Sequence, residues 1–297
     1  MKRCSAIFAV FVAAGCADVT WGPEQLGQGK GSARAASLEQ GRKTYATYCI
    51  GCHGESGDGN GAAARFLSPK PRDFRIGRLK FASVAAGSAP RDEDYLRAIN
   101  RGLAGTAMPA FDLLNEDGKR SLVVYVRRLQ TGEPEPAAAP VPIPEDPWQA
   151  EPAKGVAEGQ RLYHGMASCF SCHPAYVLKP QMAEYLKSYG IPLEGDFRDH
   201  LYDAVPKESE WGADITPPNF LADRVKAGST REDLVRTIAA GVGGTAMPSW
   251  GGALTPEQLW GLTYYVESLV AIRGTAEAQR IRNTLLSQPI FIPKPTP

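Results

Sequence analysis

The spacing Cys-x-x-Cys-His occurs twice in this 297-residue chain, and it constrains the fold more than any other feature. The two segments are Cys49-Ile50-Gly51-Cys52-His53 and Cys169-Phe170-Ser171-Cys172-His173. Each segment places two thiols at positions i and i+3, on one side of a helical turn, and an imidazole directly after them. Because the chain has six cysteines and four histidines in all, most of its thiols and half of its imidazoles stand in these two segments.

Four further landmarks recur in the same order around these segments, which indicates an internal repeat. In the first copy they are Gly41 to Tyr45, Pro71 to Phe74, Gly105-Thr106-Ala107-Met108-Pro109, and Leu122 to Val126. In the second copy they are Gly159 to Tyr163, Pro217 to Phe220, Gly244-Thr245-Ala246-Met247-Pro248, and Leu262 to Val266. The interval from histidine to methionine is 55 residues in the first copy and 74 in the second. Most of the excess lies in an insertion at about 178–210.

The repeat and the composition of the intervening segments predict the domain organisation. Residues 132–153 contain seven prolines among 22 residues, a composition that favours a semi-rigid polyproline spacer. The predicted segments are domain 1 at 37–131, a Pro-rich linker at 132–153, domain 2 at 154–272 with its insertion, and a C-terminal tail at 273–297. Apolar residues at helical spacing predict helices at 38–49, 92–101, 116–129, 155–168, 230–240 and 256–270, with no convincing strand alternation. We therefore expect an all-α fold.

The N-terminus predicts export. Two basic residues precede an apolar run from Ala6 to Ala14, which is too short to span a bilayer and is typical of a signal peptide at 1–15. Gly15-Cys16 ends the run and resembles the lipobox of bacterial lipoproteins, which implies a lipid on Cys16. The alternative is an ordinary cleaved signal with an incidental cysteine. Residues 16–36 then predict a flexible tether behind the lipid-bearing residue.

The motif itself points to a chemistry. Cys-x-x-Cys-His is the attachment signal for c-type haem, because thiols at i and i+3 can each form a thioether with one vinyl group while the histidine coordinates the iron. A redox-active dithiol is a weaker alternative, since no strand–helix unit accompanies it. A zinc site shared by the four cysteines would leave the repeated methionine segments unexplained. Disulfides from i to i+3 have poor geometry.

The second axial ligand of each iron follows from the repeat. Domain 1 contains no histidine besides His53 and no methionine besides Met108, so Met108 is its candidate by elimination. Met247 takes the same place in domain 2, because the five residues around it are the same. A thioether suits haem iron and raises its potential relative to a second imidazole. Domain 2 also offers rival ligands: His164, His200, Met166 and Met182.

Taken together, these motifs resemble class I cytochrome c, twice over. The resemblance implies two tandem cytochrome c domains and two covalently bound haem c groups, held by Cys49, Cys52, Cys169 and Cys172 and coordinated by His53, Met108, His173 and Met247. It implies that the first and last helices of each domain cross closely, at Gly41 with Tyr125 and at Gly159 with Tyr265. It also implies a proline carbonyl beside each ligand histidine, from Pro69 or Pro71 and from Pro217 or Pro218. One group of cations is expected either to face solvent, which is the default for such charges, or to reach the haem propionates: Arg72, Arg75, Arg78 and Lys80.

Two irons with both axial positions filled favour electron transfer over catalysis. We expect an extracytoplasmic electron carrier, lipid-anchored to a membrane, with redox proteins such as a membrane respiratory complex as partners and no catalytic residues. The alternatives are a dihaem enzyme of peroxidase or thiosulfate-oxidising type, and a fixed haem subunit of a larger respiratory complex. With 33 basic and 32 acidic residues, the chain has no bulk basic field for nucleic acid. The charges are nevertheless divided unequally, since domain 1 has 15 basic and 10 acidic residues whereas domain 2 has 10 basic and 14 acidic. This difference predicts that the two domains dock on different partners.

Overall fold

The computed structural model describes residues 23–133, 135–193, 195–289 and 291. The predicted signal peptide, Cys16 and residues 292–297 lie outside the described residues. The elements in chain order are α1 (Pro23–Tyr48), α2 (Ile50–His53), α3 (Asp92–Arg101), α4 (Glu116–Arg128), α5 (Pro152–His164), α6 (Lys179–Ser188), β1 (Lys207–Glu208), β2 (Asp214–Ile215), α7 (Arg231–Ala240), α8 (Pro256–Ala271) and α9 (Ala276–Leu286). The fold is all-α, in two domains; β1 and β2 form one short antiparallel hairpin.

Each domain is built on the crossing of its first and last long helices, α1 with α4 and α5 with α8. The backbones approach so closely that a side chain could not fit between them. A Cβ atom on Gly41 would lie 2.8 Å from Cβ of Tyr125, and a Cβ atom on Gly159 would lie 2.7 Å from Cβ of Tyr265. The crossings that the resemblance implied are therefore confirmed, and they bring the start and end of each domain together around one core.

The helix starts follow local sequence signals. At the start of α8, the Thr255 hydroxyl accepts a hydrogen bond from the Gln258 amide (3.3 Å), and the Gln258 side chain accepts one from the Thr255 amide (3.0 Å). Pro256 occupies the first helical position, where its missing N–H costs nothing. Asn115 caps α4 and Thr230 caps α7 in the same manner. Because these starts depend on local hydrogen bonds, the sequence predicted them well.

Two segments differ from the sequence-based expectation. Residues 23–36, assigned to a flexible tether, form the first turns of α1, with Pro23 at the first helical position. The insertion contains α6, whose Met182 and Leu186 pack into a small core with Phe197 and Leu201. The tail begins with a helix, α9, as the sequence after Arg273 suggested, and this helix buries Ala278 against domain 2.

The Pro-rich linker is packed along both domains. Its first half bonds to domain 1, where the amides of Ala138 and Val141 donate to the carbonyls of Ala89 (3.0 Å) and Ser83 (2.8 Å). Its second half bonds to domain 2, where the Trp260 indole donates to the carbonyl of Pro144 (3.0 Å). The linker therefore holds the domains together as well as spacing them. None of the helices in the described ranges combines the length and apolar character that a membrane span requires.

Candidate functional site

The two Cys-x-x-Cys-His segments adopt the same tight turn. The amide of His53 donates to the carbonyl of Cys49 (2.8 Å), and the amide of His173 donates to that of Cys169 (2.9 Å). The four cysteines are free and partly exposed. The turn thus presents both thiols and the following imidazole of each segment to one side, as covalent attachment of haem requires.

The thiols do not resemble those of a redox-active dithiol. Burial raises the pKa of the Cys49 thiol to about 12 and that of Cys169 to about 12. Reactive dithiols depend on the opposite shift, toward a thiolate at neutral pH. A shared zinc site is also unsupported, because the described part of the chain contains no cluster of three or more His, Cys, Asp or Glu side chains that could hold a metal ion.

Each candidate ligand histidine is held by a hydrogen bond from one ring nitrogen to a backbone carbonyl. Nδ1–H of His53 donates to the carbonyl of Arg72 (2.9 Å), and Nδ1–H of His173 donates to that of Pro218 (3.1 Å). Burial lowers the pKa of both imidazoles, which keeps them neutral. The Nε2 lone pair is thereby left for a metal, the second-shell arrangement common to metal-binding histidines.

The residue whose carbonyl accepts this hydrogen bond differs from the expectation in domain 1. Pro218 is one of the two residues predicted in domain 2, but neither Pro69 nor Pro71 contacts His53 in this way. Arg72 and Pro218 both lie two residues before the repeated phenylalanine. A backbone carbonyl at that position is what the histidine needs, so the identity of the side chain is free to vary.

The repeated phenylalanine supports the histidine ring, a role that the sequence did not reveal. The rings of His53 and Phe74 are stacked with centroids 4.4 Å apart, and those of His173 and Phe220 are 5.0 Å apart. The recurrence of Phe74 as Phe220 was the available signal. Stacking and the carbonyl bond together restrict each imidazole to one orientation.

The repeated tyrosine secures the chain just after each histidine. The Tyr45 hydroxyl donates to the carbonyl of Gly54 (2.8 Å), and the Tyr163 hydroxyl donates to that of Pro174 (2.9 Å). Both tyrosine side chains are fully buried. The motif Gly-x-x-x-Tyr thus has two roles. Its glycine allows the two helices to cross closely, and its tyrosine hydroxyl binds the backbone just after the histidine.

Replacing Tyr45 by Phe is expected to destabilise domain 1 by about 0.5–1.5 kcal/mol, since it removes a buried hydrogen bond to the carbonyl of Gly54, which then keeps only the bond from the Gly57 amide (3.2 Å). Urea unfolding measures the change, with Tyr48→Phe as the control because that side chain is 54% exposed. Equal stability of the two variants would contradict the role assigned to the Tyr45 hydroxyl.

The repeated methionines stand in turns with identical hydrogen bonds. In domain 1 the amide of Leu103 donates to the carbonyl of Met108 (3.1 Å), and the amide of Met108 donates to the hydroxyl of Thr106 (3.1 Å). In domain 2 the amide of Val242 donates to the carbonyl of Met247 (3.2 Å), and the amide of Met247 donates to the hydroxyl of Thr245 (3.2 Å). Both methionines are partly exposed. Geometry this similar fits a function shared by the two copies better than chance core packing does.

The rival ligands of domain 2 are engaged elsewhere or lie at the surface. His164 is fully buried, with Nδ1–H donating to the carbonyl of Gln160 (2.8 Å) and Nε2 accepting from the amide of Tyr176 (3.0 Å). Both of its nitrogens are therefore occupied. Met182 lies in the core of the insertion, Met166 is exposed, and the His200 side chain is 83% exposed.

The candidate propionate-binding cations divide into two pairs. Arg75 forms an ion pair with Asp73 (2.7 Å), and Arg78 forms one with Glu135 (2.8 Å). Arg72 and Lys80 form no salt bridge within the described residues, and both lie close to Trp211 of domain 2. The site around His53 therefore extends to the boundary with the other domain.

Comparisons with known proteins identify both copies of the site. The family model described as "Cytochrome C oxidase, cbb3-type, subunit III" matches residues 36–126 and again residues 154–266. A solved chain of the Kuenenia stuttgartiensis reducing HAO-like protein complex is 31% identical to this chain, with a TM-score of 0.61. That match covers 78% of this chain and 96% of the other. No curated protein matches.

Proposed function

Because the chain belongs to the cytochrome c family described as subunit III of cbb3-type cytochrome c oxidase, we propose that it is a dihaem electron carrier that works outside the cytoplasm. A c-type cytochrome with covalently bound haem c takes part in electron transfer, and this much follows from the family. The number of haems, their ligands, the anchor and the partners are parts of the proposal. It depends above all on one observation, namely that the same histidine and methionine geometry occurs in both domains.

In each domain, side chains from three places would hold one haem, which supplies a one-electron couple when bound. The thiols would form the thioethers, and the histidine and methionine would coordinate the iron. The proposed sets are Cys49, Cys52, His53 and Met108 in domain 1, and Cys169, Cys172, His173 and Met247 in domain 2. The carbonyls of Arg72 and Pro218 increase the basicity of the ligand imidazoles and fix their tautomer.

Filled axial positions favour a carrier over an enzyme, because substrates such as peroxide need an open coordination site. A methionine ligand also raises the potential relative to a second histidine, which suits exchange with respiratory partners. We therefore assign no catalytic residue. The basic surface of domain 1 would meet a more acidic partner, such as a membrane respiratory complex, and steer its approach.

A second candidate function is a fixed electron-transfer subunit of a larger complex. The similarity to a chain of the Kuenenia stuttgartiensis reducing HAO-like protein complex favours it, since this chain covers 96% of that one. Purification in mild detergent separates the two candidates. A free carrier elutes alone, whereas a subunit elutes with stoichiometric companions.

The location belongs to the proposal as well. Cytochrome c domains typically function outside the cytoplasm, and the N-terminal apolar run followed by Cys16 supports export and attachment of a lipid. A lipid on Cys16 would keep domain 1 close to the membrane surface, where a respiratory complex is accessible.

Intact mass and a reduced-minus-oxidised spectrum of the mature protein test the haem count, the ligation and the lipid together. The parent protein is expected to carry the mass of two haems and of an acylated cysteine. The double variant Cys49→Ala/Cys52→Ala is expected to lose one haem, and Cys169→Ala/Cys172→Ala the other, while Ser171→Ala keeps both. A parent mass equal to that of the bare polypeptide would exclude the proposal.

A further inference from the structure

The two domains meet through the segments that lie between their proposed iron ligands. Across the boundary the amide of Gly243 donates to the carbonyl of Lys80 (2.8 Å), and the amide of Ala86 donates to that of Ala240 (2.8 Å). The Arg101 guanidinium also forms an ion pair with Asp233 (2.8 Å). Backbone hydrogen bonds of this kind require a fixed register, so the two sites hold a defined position relative to each other.

Trp211 contacts residues of both domains at this boundary. The Arg72 guanidinium of domain 1 lies over its ring, 3.6 Å from the centroid, and the Lys80 amine lies 5.6 Å away. The ring also packs against Gly244, where a Cβ atom would lie 2.5 Å from Cε2 of the indole. The amide of Glu210 donates to the carbonyl of Gly244 (3.1 Å) and holds the tryptophan there.

Both neighbours of Trp211 lead directly to a proposed ligand. Arg72 is the residue whose carbonyl accepts the hydrogen bond from His53. Gly244 begins the repeated turn that contains Met247 three residues later. An unbroken series of hydrogen bonds, covalent bonds and van der Waals contacts therefore runs from His53 through the indole to Met247, and networks of this type transmit coupling between sites.

The charges at the boundary support this role. The Arg72 guanidinium and the Lys80 amine both lie against the Trp211 ring, and among the described residues neither forms a salt bridge with a carboxylate. The two cations create a positive potential around the ring. A positive potential lowers the energy of an added electron in both directions of transfer.

From these contacts we propose that Trp211 is the connection through which the two domains exchange electrons, a role that rests on the proposed dihaem function. In each exchange one electron leaves the reduced iron of one domain and reduces the oxidised iron of the other. No bond forms or breaks, and no proton moves. Trp211 acts as a positioning residue, because it contacts residues that hold the ligands and does not coordinate iron itself. It stands just after the insertion, within the interval from His173 to Met247, which is longer than the corresponding interval of the first copy.

Film voltammetry of the haem-loaded full chain tests the proposal. Adsorbed through basic domain 1 on a carboxylate-terminated electrode, the parent is expected to exchange two electrons per molecule at slow scan rates and only one at fast rates. The scan rate at which the second electron is lost measures exchange between the domains. Trp211→Leu is expected to lower that rate roughly tenfold or more, since small changes in the contacts between reacting groups alter rates on this scale.

Trp148→Leu is the matched control, because Trp148 of the linker also packs against a glycine, Gly155, and its indole donates to the carbonyl of Glu257 in domain 2. The exchange rate of Trp148→Leu is expected to equal that of the parent. Trp211→Phe keeps an aromatic ring against Gly244, so its exchange rate is expected to be close to that of the parent. Protection of the Gly243 amide from hydrogen exchange reports whether the domains stay together. The proposal is overturned if Trp211→Leu matches Trp148→Leu, or if it slows exchange only with loss of Gly243 protection. A parent that carries two haems by intact mass but exchanges one electron per molecule at every scan rate also overturns it, whereas a parent that carries only one haem by mass refutes the dihaem function.

Discussion

Placing valine at Gly159 is expected to unfold domain 2, whereas the same residue two positions earlier on α5 is expected to be tolerated. At Gly159 the new Cβ would overlap the backbone carbonyl of Gly261 and lie 2.7 Å from Cβ of Tyr265. Neither atom belongs to the far end of a flexible side chain, so no rotamer change relieves the overlap. The expected loss is at least about 3 kcal/mol, the upper range for overpacked cores.

The control substitution is Ala157→Val, since Ala157 is exposed on the same helix and receives the same β-branched side chain. Its cost is limited to helix propensity, a few tenths of a kcal/mol to about 0.7 kcal/mol. Circular dichroism during thermal unfolding measures both variants, and domain 1 serves as an internal reference. If both variants melted at the same temperature, the close crossing of α5 and α8 would not be what holds domain 2 together.

The sequence predicted those parts of the fold that depend on local signals or on the repeat. The helix predicted at 92–101 is observed as Asp92–Arg101, and that at 256–270 as Pro256–Ala271. Both helices begin with acidic residues or a capping box, which act through hydrogen bonds and charges within one turn. The glycine crossings were predictable because each glycine and its tyrosine recur in the same order.

The parts that were missed depend on contacts between distant segments. The carbonyl that fixes His53 comes from Arg72 because of where the backbone passes, and no side-chain pattern encodes that position. The contact between Trp211 and Arg72 joins different domains and has no counterpart in the repeat. Helix α6 was missed because its stability comes from packing Met182 and Leu186 against Phe197 and Leu201 of the same insertion.

The insertion gives domain 2 a covering that domain 1 lacks. Its Arg198 donates to the carbonyls of Phe170 (3.1 Å) and Asp203 (3.0 Å), and the amide of Val205 donates to the carbonyl of Cys172 (2.8 Å). These bonds tie the insertion directly to the second Cys-x-x-Cys-His segment. Domain 1 has the shorter interval and a basic charge, so we expect the external partner to meet domain 1 and the insertion to shield domain 2.

Replacing Met247 by His is expected to lower one of the two midpoint potentials while the other stays unchanged. An imidazole stabilises ferric iron better than a thioether does, and axial ligands together span about 0.8 V in haem proteins. A fall on the order of 0.1–0.3 V is therefore expected. Redox titration of the loaded protein measures it, and the methionine–iron absorption band should fall by half in the same variant.

Met182→Leu is the matched control, because it removes a methionine of the same domain that is fully buried in the core of the insertion. It is expected to leave both potentials and the absorption band unchanged. If Met247→His had no effect and Met166→Leu abolished half of the band, the sixth ligand would come from the exposed methionine before the second motif. The shared turn of Met108 and Met247 would then be structural, and the iron of domain 2 would be ligated differently from that of domain 1.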